Sequence, residues 1–254
     1  MLAPLALALV WLGGPYFVAL VLVAAAGMGW EWARLTGWRS RRVAGLVVLA
    51  ATLPVLALAL GMPHLAVVLA PALAIAVWVV AVRAPGADAA WAALGAVWIA
   101  VPCLACLWIA ADAEVGRRAV LWLFVTVWAT DTGAFAAGRC FGGPRLAPRL
   151  SPNKTWSGAL GGIVGATVVA WGFALWSGAA AMALIPAGIA LSVAAQCGDL
   201  VESVAKRRFG VKDSSGLIPG HGGLLDRLDG MLVAAALQAL LTLAAGASPL
   251  AWQA

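Results

Sequence analysis

Residues 155–198 read TWSGALGGIVGATVVAWGFALWSGAAAMALIPAGIALSVAAQCG, and this stretch decides the fold class because it contains no Asp, Glu, Lys or Arg. A helix that crosses a membrane needs about 20 apolar residues. The stretch is therefore long enough for two such helices. The pair Ser177-Gly178 lies near its middle and marks the turn between them. The sequence predicts two antiparallel membrane helices here.

The same pattern extends over the rest of the 254-residue chain, which is 64% hydrophobic. The apolar runs are continuous rather than alternating, which favours helices over the strands of a membrane barrel. Stretch 43–82 predicts two spans that meet near Pro63, and stretch 119–130 is long enough only if its helix continues through Asp131 to about residue 138. The remaining charge-free stretches are 1–30, 89–111 and 230–254.

The N-terminal stretch is broken by Gly13-Gly14-Pro15. Residues 15–33 can span a bilayer, whereas residues 2–12 rise only ~16 Å as a helix. A cleaved signal peptide is the alternative for this segment, but it lacks the basic residues that begin one. We therefore predict an all-α, polytopic membrane protein with about eight full transmembrane helices plus a short N-terminal partial helix, in a single domain over residues 1–254.

The basic residues predict the orientation, because short cytoplasmic loops are enriched in Lys and Arg. With loop 31–42 in the cytoplasm and the spans alternating, the cytoplasmic loops are 31–42, 83–88, 139–154 and 199–229. These loops hold 14 of the 16 basic residues. The formal net charge of +6 is thus explained by the membrane topology and requires no nucleic-acid partner.

The segment GDLVESVAKR, residues 198–207, places charged groups on one face of a predicted helix. The spacing i, i+3, i+4, i+7 and i+8 brings together Asp199, Glu202, Ser203, Lys206 and Arg207. One interpretation is a salt-bridged helix end in the cytoplasm. The other is a functional site, because Asp199 directly follows an apolar run and ionisable groups at that depth usually mark a functional path.

The segment KDSSGLIPGHGGLLDRLDG, residues 212–230, cannot be a regular helix because of its glycines and proline. Such a loop lets backbone approach a ligand closely. Asp226 and Asp229 follow at helical spacing, and carboxylates of this kind suit Mg²⁺, which usually binds together with phosphates. The nearby cations would hold phosphate oxygens. The alternative is an ordinary solvated loop.

In RLSPNKTWSG, residues 149–158, Ser151 is a good N-cap and Pro152 a good first helical residue. A helix N-terminus attracts anions, and Lys154 and Thr155 add donors. The alternative is an ordinary capped membrane helix whose lysine only sets its orientation.

Asp131 is predicted to lie inside the membrane, eight residues and thus ~12 Å of helix before Arg139. An intramembrane acid is a site candidate.

These motifs resemble the signature of the phosphatidate cytidylyltransferases, also called CDP-diglyceride synthases. The matching positions, at the same spacing, are Ser203, Lys206-Arg207, Lys212-Asp213, Ser215, His221-Gly222-Gly223 and Asp226-Arg227-Leu228-Asp229. SPNKTW, DTGAFAAGR and WEWARLTG (30–37) are similar to further segments of that family, so the resemblance covers most of the chain. The short segment 2–12 departs from it, because the family generally has a complete helix there.

The resemblance implies the reaction of CTP with phosphatidate to give CDP-diacylglycerol and pyrophosphate in the inner membrane, with the site facing the cytoplasm. It also implies Mg²⁺, with or without K⁺ beside it, and a homodimer. The metal ligands it implies are Asp199, Asp226 and Asp229. The catalytic residues it implies are Asp199, Asp226, Lys206 and Arg207. The substrate-binding residues it implies are Lys154, Ser151, Thr155, Ser203, Lys212, Asp213, His221, Gly222, Gly223, Arg227 and Asp131.

Two other functions share single features with this sequence. A CDP-alcohol phosphotransferase needs further aspartates after Asp229-Gly230, but residues 231–254 contain no acid. A transporter that uses Asp131 and Asp199 as an ion path would tend to show two related halves. The sequence shows no such repeat.

Overall fold

The computed structural model describes residues 2–37, 40–218, 220 and 222–252. Eight helices in these ranges are long and apolar enough to cross a membrane, and an eleven-residue apolar helix precedes them. The predicted all-α membrane fold is therefore confirmed. The helices are α1 (Leu2–Leu12), α2 (Gly14–Gly37), α3 (Arg41–Ala59), α4 (Pro63–Ala81), α5 (Ala89–Ala110), α6 (Gly116–Phe141), α7 (Trp156–Ser177), α8 (Ala181–Arg208) and α9 (Leu225–Ala245). A short 3-10 helix, Pro249–Ala251, follows α9.

Two helix ends lie where proline and glycine predict them. Helix α7 ends at Ser177, and Gly178 adopts a φ of +74° there, which a residue with a Cβ rarely tolerates. Helix α4 begins at Pro63, whose missing N–H costs nothing in the first turn of a helix. Helix α6 runs unbroken through Asp131, as a full span at this position requires.

Three predicted loops are shorter than the sequence indicated. Helix α2 extends to Gly37, α6 to Phe141 and α8 to Arg208, so the charged residues at these ends lie on helices. A helix can continue beyond its apolar part because its backbone hydrogen bonds do not depend on which side chains it carries. The predicted loop 199–229 is thus reduced to residues 209–224, which we call the signature loop.

The segment between α6 and α7 contains a β-hairpin that the sequence did not predict. Strand β1 (Arg145–Ala147) pairs antiparallel with β2 (Ser151–Thr155). The prediction that Ser151 caps α7 is wrong, because Ser151 and Pro152 belong to β2. The true N-cap is Thr155, whose Oγ1 accepts the N–H of Gly158 at 3.1 Å. Lys154 is therefore the last strand residue before the cap.

The chain forms two compact units, each drawn from two separate parts of the sequence. One comprises Met1–Trp108 with Lys206–Leu228, and the other comprises Ile109–Ala205 with Asp229–Ala254. Helices α8 and α9 each contribute residues to both. That residues 1–254 act as one catalytic domain stays a prediction.

Close backbone contact joins α6 to α7 in the second unit. A Cβ at Gly158 would lie 2.9 Å from the carbonyl oxygen of Ala134, and one at Gly165 would lie 2.5 Å from that of Ala129. Small residues allow membrane helices to approach this closely. The contact fixes the start of α7, and with it the position of Lys154.

In the first unit, α2 and α5 meet around a buried tryptophan. Trp32 donates its indole N–H to the carbonyl oxygen of Trp91 at 2.7 Å, and a Cβ at Gly95 would overlap its ring. Phe209 packs edge-on against Trp91, with their ring centroids 5.9 Å apart. The end of α2 and the beginning of the signature loop are therefore held by aromatic packing within one unit.

Candidate active site

The second unit gathers acidic side chains around one lysine. Lys154 donates to Asp199 Oδ2 at 2.5 Å, although the two residues are 45 positions apart. Asp229 lies near Asp199 and hydrogen-bonds with Glu202. We call these four residues the Asp199 cluster. The structure thus brings Lys154 together with two of the three predicted metal ligands, and it adds Glu202, which shares their predicted helical face but had no predicted role.

The Asp199 cluster depends on a close crossing of α8 and α9. A Cβ at Gly198 would lie 2.5 Å from the carbonyl oxygen of Asp229, and one at Gly230 would lie 2.9 Å from Asp199 Oδ1. Only glycine leaves room for this approach. Gly198, which precedes Asp199, and Gly230, which follows Asp229, therefore set the distance between the two carboxylates.

The first unit holds a second ion pair, between Lys206 and Asp226. Lys206 Nζ lies 2.7 Å from Asp226 Oδ1, and the side chains are only 16% and 8% exposed. Three donors surround the other oxygen, Oδ2. They are Ser214 N at 2.9 Å, Ser214 Oγ at 3.0 Å and Gly223 N at 2.8 Å. We call Lys206, Ser214, Gly223 and Asp226 the Asp226 cluster.

Two glycines of the signature loop are required because a larger side chain would be strained or would clash. Gly222 adopts a φ of +82°. A Cβ at Gly223 would overlap the Ser214 hydroxyl and would lie 3.0 Å from Asp226 Oδ2. A larger residue at position 223 would therefore displace the carboxylate that the loop surrounds.

A buried carboxylate from α2 also contacts the signature loop. Glu31 is fully buried and accepts hydrogen bonds from Ser214, Ser215, Leu224 and Leu225. Glu31 lies in the family-like segment WEWARLTG (30–37), but the sequence predicts no role for it. A signal was present, since Glu31 is the only acidic residue before Asp88 and it lies at the end of an apolar span.

Among the described residues, the other predicted site residues lie on β2, α6, α8, α9 and the signature loop. The Ser203 hydroxyl donates to the Asp199 carbonyl oxygen at 2.8 Å, and Thr155 uses its hydroxyl oxygen to cap α7. His221 lies outside the described residues. The roles of these residues stay predictions, as do those of five exposed ones: Asp131, Arg207, Lys212, Asp213 and Arg227.

No three His, Cys, Asp or Glu side chains among the described residues are arranged to enclose a metal ion by themselves. This donor set still fits Mg²⁺, because Mg²⁺ usually takes one or two carboxylates and completes its shell with water and substrate phosphates. In the Asp199 cluster, three acidic side chains outnumber the single lysine and leave negative charge for a cation to balance. The donors of the Asp199 cluster are therefore of the kind that suits a metal ion that binds together with phosphates.

Residues 1–244 match the model of the cytidylyltransferase family. The chain belongs to this family. It is 38% identical to a phosphatidate cytidylyltransferase of Brucella suis over 93% of the chain and 87% of that protein. It is 37% identical to one of Pseudomonas aeruginosa over 96% of the chain and 94% of that protein. A phosphatidate cytidylyltransferase of Haemophilus influenzae is 46% identical over 48% of the chain.

Proposed function

We propose that this cytidylyltransferase makes CDP-diacylglycerol and pyrophosphate from CTP and phosphatidate, in the membrane and as a step of phospholipid synthesis. The observation that carries the proposal is the pair of lysine–carboxylate contacts, Lys154–Asp199 and Lys206–Asp226, in a chain of this family. Each contact puts an ammonium group, which can hold a phosphate, beside a carboxylate, which can hold a metal ion.

The reaction exchanges one phosphoanhydride bond for another. A phosphate oxygen of phosphatidate attacks the α-phosphorus of CTP, the bond to the β-phosphate breaks, and pyrophosphate leaves with that electron pair. The protein needs no covalent nucleophile for this. Its residues bind and orient two anionic substrates and stabilise the negative charge that develops on the leaving group.

The two lysines have a direct part in that task. Lys154 and Lys206 are partly buried, with side chains 28% and 16% exposed, so their charges are screened less than those of surface lysines. When an anionic substrate enters, each ammonium group can turn from its carboxylate to a phosphate oxygen. The lysines thereby orient the triphosphate.

The residues proposed to hold Mg²⁺ are Asp199, Asp226 and Asp229, and Glu202 joins them through its hydrogen bond to Asp229. When bound, the ion would neutralise phosphate charge and favour departure of pyrophosphate. The resemblance also implies a K⁺ ion and a homodimer, which we retain as part of the proposal.

We further propose that the signature loop faces the cytoplasm of a bacterial inner membrane. The distribution of Lys and Arg supports this, because 14 of the 16 fall in loops or helix ends on one side of the alternating spans. CTP is then supplied from the cytoplasm, while phosphatidate arrives within the bilayer.

The decisive experiment is to measure the release of labelled pyrophosphate from CTP by the purified protein. Release should require phosphatidate, and diacylglycerol should not replace it because it lacks the attacking phosphate oxygen. Release that does not depend on phosphatidate, or a strict need for CDP-diacylglycerol as the substrate, would overturn the proposal. An ion transporter would release no pyrophosphate in this assay.

A further inference from the structure

The buried carboxylate of Glu31 serves the signature loop and the start of α9. Oε1 accepts from Ser215 Oγ at 2.5 Å and from Leu224 N at 2.8 Å. Oε2 accepts from Leu225 N at 2.6 Å and from Ser214 Oγ at 3.2 Å. Three of these donors face Glu31 alone, whereas the single hydroxyl hydrogen of Ser214 is shared between Glu31 Oε2 and Asp226 Oδ2, so both oxygens of Glu31 act as acceptors. These residues lie 183 or more positions after Glu31.

The two hydrogen bonds from Leu224 N and Leu225 N to Glu31 cap the N-terminus of α9. Leu225 is the first residue of α9, and N–H groups at the start of a helix have no partner within the helix. A carboxylate from another helix supplies the missing acceptor, and its negative charge is favourable at a helix N-terminus. Glu31 thereby fixes where α9 begins, one residue before Asp226.

The hydroxyl contacts connect Glu31 to the Asp226 cluster. Ser214 Oγ lies within hydrogen-bond distance of both Glu31 Oε2 and Asp226 Oδ2, at 3.2 and 3.0 Å. Gly223, which donates to Asp226, leaves so little room that a Cβ there would lie 2.8 Å from Glu31 Oε1. A displacement of Glu31 would therefore move the donors that orient Asp226.

We propose that Glu31 is a positioning residue for the transfer reaction. It holds the signature loop and the first turn of α9 so that the Asp226 carboxylate and Lys206 meet the triphosphate in the correct orientation. The inference rests on the proposed function. It assigns to α2 a part in nucleotide binding, although Glu31 does not touch the substrate.

The substitution Glu31→Gln tests the positioning role, because each oxygen of the Glu31 carboxylate accepts from one hydroxyl and one backbone N–H. Each carboxylate oxygen faces one backbone N–H, that of Leu224 or that of Leu225. In either orientation, the new NH₂ group of Gln would point its hydrogens at one of these N–H groups. One buried donor loses its acceptor, although the side chain keeps its size. Glu31→Asp keeps both acceptors on a shorter side chain.

The experiment measures kcat and KM for CTP separately in the Glu31→Gln, Glu31→Asp and Glu114→Gln variants. Glu114 is exposed and precedes α6, so its substitution controls for the chemical change alone. We expect the KM for CTP to rise at least tenfold with Gln and less with Asp, and to stay at the wild-type value in the control. Amide hydrogen exchange in residues 212–225 should become faster in the Gln variant.

A merely structural role would give a different result. Partial unfolding removes active molecules and lowers the apparent kcat, but the molecules that remain folded keep their KM. A wild-type KM for CTP in the Glu31→Gln variant would therefore overturn the inference. Failure of the wild-type protein to release pyrophosphate would instead overturn the proposed function, so the two failures are distinguishable.

A second variant keeps the test valid if Glu31→Gln does not fold. Ser214→Ala removes the hydroxyl between the two carboxylates but leaves Leu224 and Leu225 bonded to Glu31. We expect this variant to fold and to show a raised KM for CTP, whereas a wild-type KM would contradict the proposal. Where both single variants fold, their effects on KM should be non-additive in the double variant, because they act through one contact.

Discussion

Lys154 and Asp199 come from opposite ends of a pair of spans and meet at 2.5 Å. Helix α7 crosses the membrane away from Lys154, and α8 crosses back to the same side. The ion pair therefore joins a residue just before α7 to a residue in the C-terminal half of α8. Their close approach is required if both residues are to contact one nucleotide. A lysine that only set the orientation of α7 would not need a carboxylate partner.

Lys154→Gln should lower kcat/KM for CTP by much more than a factor of ten, and Lys154→Arg should retain an intermediate activity. Gln removes the charge, whereas Arg keeps it in a different geometry. Arg145→Gln is the matched control, because Arg145 is an exposed basic residue of the same hairpin. If both Lys154 variants matched the control, Lys154 would serve only as an orientation signal.

Asp199→Asn and Asp226→Asn should each abolish activity. The structure distinguishes their effects on stability, because three donors of the signature loop surround Asp226 Oδ2, whereas Asp199 contacts chiefly Lys154. The Asp226 variant should therefore also melt at a lower temperature. More than about a tenth of the activity, equivalent to ~1.4 kcal/mol of barrier, would argue against a metal-binding role for the residue that was changed.

Gly198→Ala should reduce activity at least tenfold by forcing α8 and α9 apart. The added Cβ would lie 2.5 Å from the carbonyl oxygen of Asp229, which is too close for any contact. Gly172→Ala is the control, because no atom lies within 4 Å of its Cβ position. That variant should stay active and gain about 0.5–1 kcal/mol of stability from the loss of a helical glycine. Equal activity in the two variants would contradict the proposed crossing.

Thr155→Ala should lower the free energy of unfolding by about 0.5–2 kcal/mol, because it removes the N-cap of α7. Ser151→Ala should change the stability little, since Ser151 lies in β2. Thermal melting in detergent measures both. A larger loss of stability at position 151 than at position 155 would restore the original prediction of the cap.

Single cysteines at positions 153 and 216, in a background without the four native cysteines, should react with a membrane-impermeant thiol reagent only from the cytoplasmic side. Asn153 and Gly216 are exposed, and a Cβ at Gly216 meets no atom within 4 Å. A cysteine at exposed Ala113 should react from the opposite side. Labelling of position 216 from outside would reverse the topology.

Most of the fold could be predicted because membrane helices reveal themselves by length and composition. Charge-free stretches gave the spans, and Pro63 and Gly178 gave their ends. The charged helix ends were harder, because polarity alone does not distinguish a loop from a helix that continues beyond the bilayer. The hairpin was missed since Ser151-Pro152 fits both a helix cap and a strand, and only the pairing with β1 decides between them.

Contacts between candidate site residues could be predicted where these residues are close in sequence. Asp226 and Lys206 belong to one signature, so their pairing could be expected, and the carboxylates of α8 share a helical face. The contact of Glu31 with the signature loop could not be predicted. No local pattern relates an acid near the end of α2 to the hydroxyls of serines 183 and 184 positions later. Long-range contacts of this kind depend on how the helices pack, which composition does not specify.

The burial of Glu31 also affects how the protein is synthesised and inserted into the membrane. Glu31 enters the membrane when α2 does, but Ser215 is translated 184 residues later, which takes roughly 10–40 s at typical elongation rates. During that interval an acidic side chain near an apolar environment lacks its final donors, and such exposure is costly. Helix α2 should therefore stay loosely inserted, or in contact with the insertion machinery, until residues 214–225 have been synthesised.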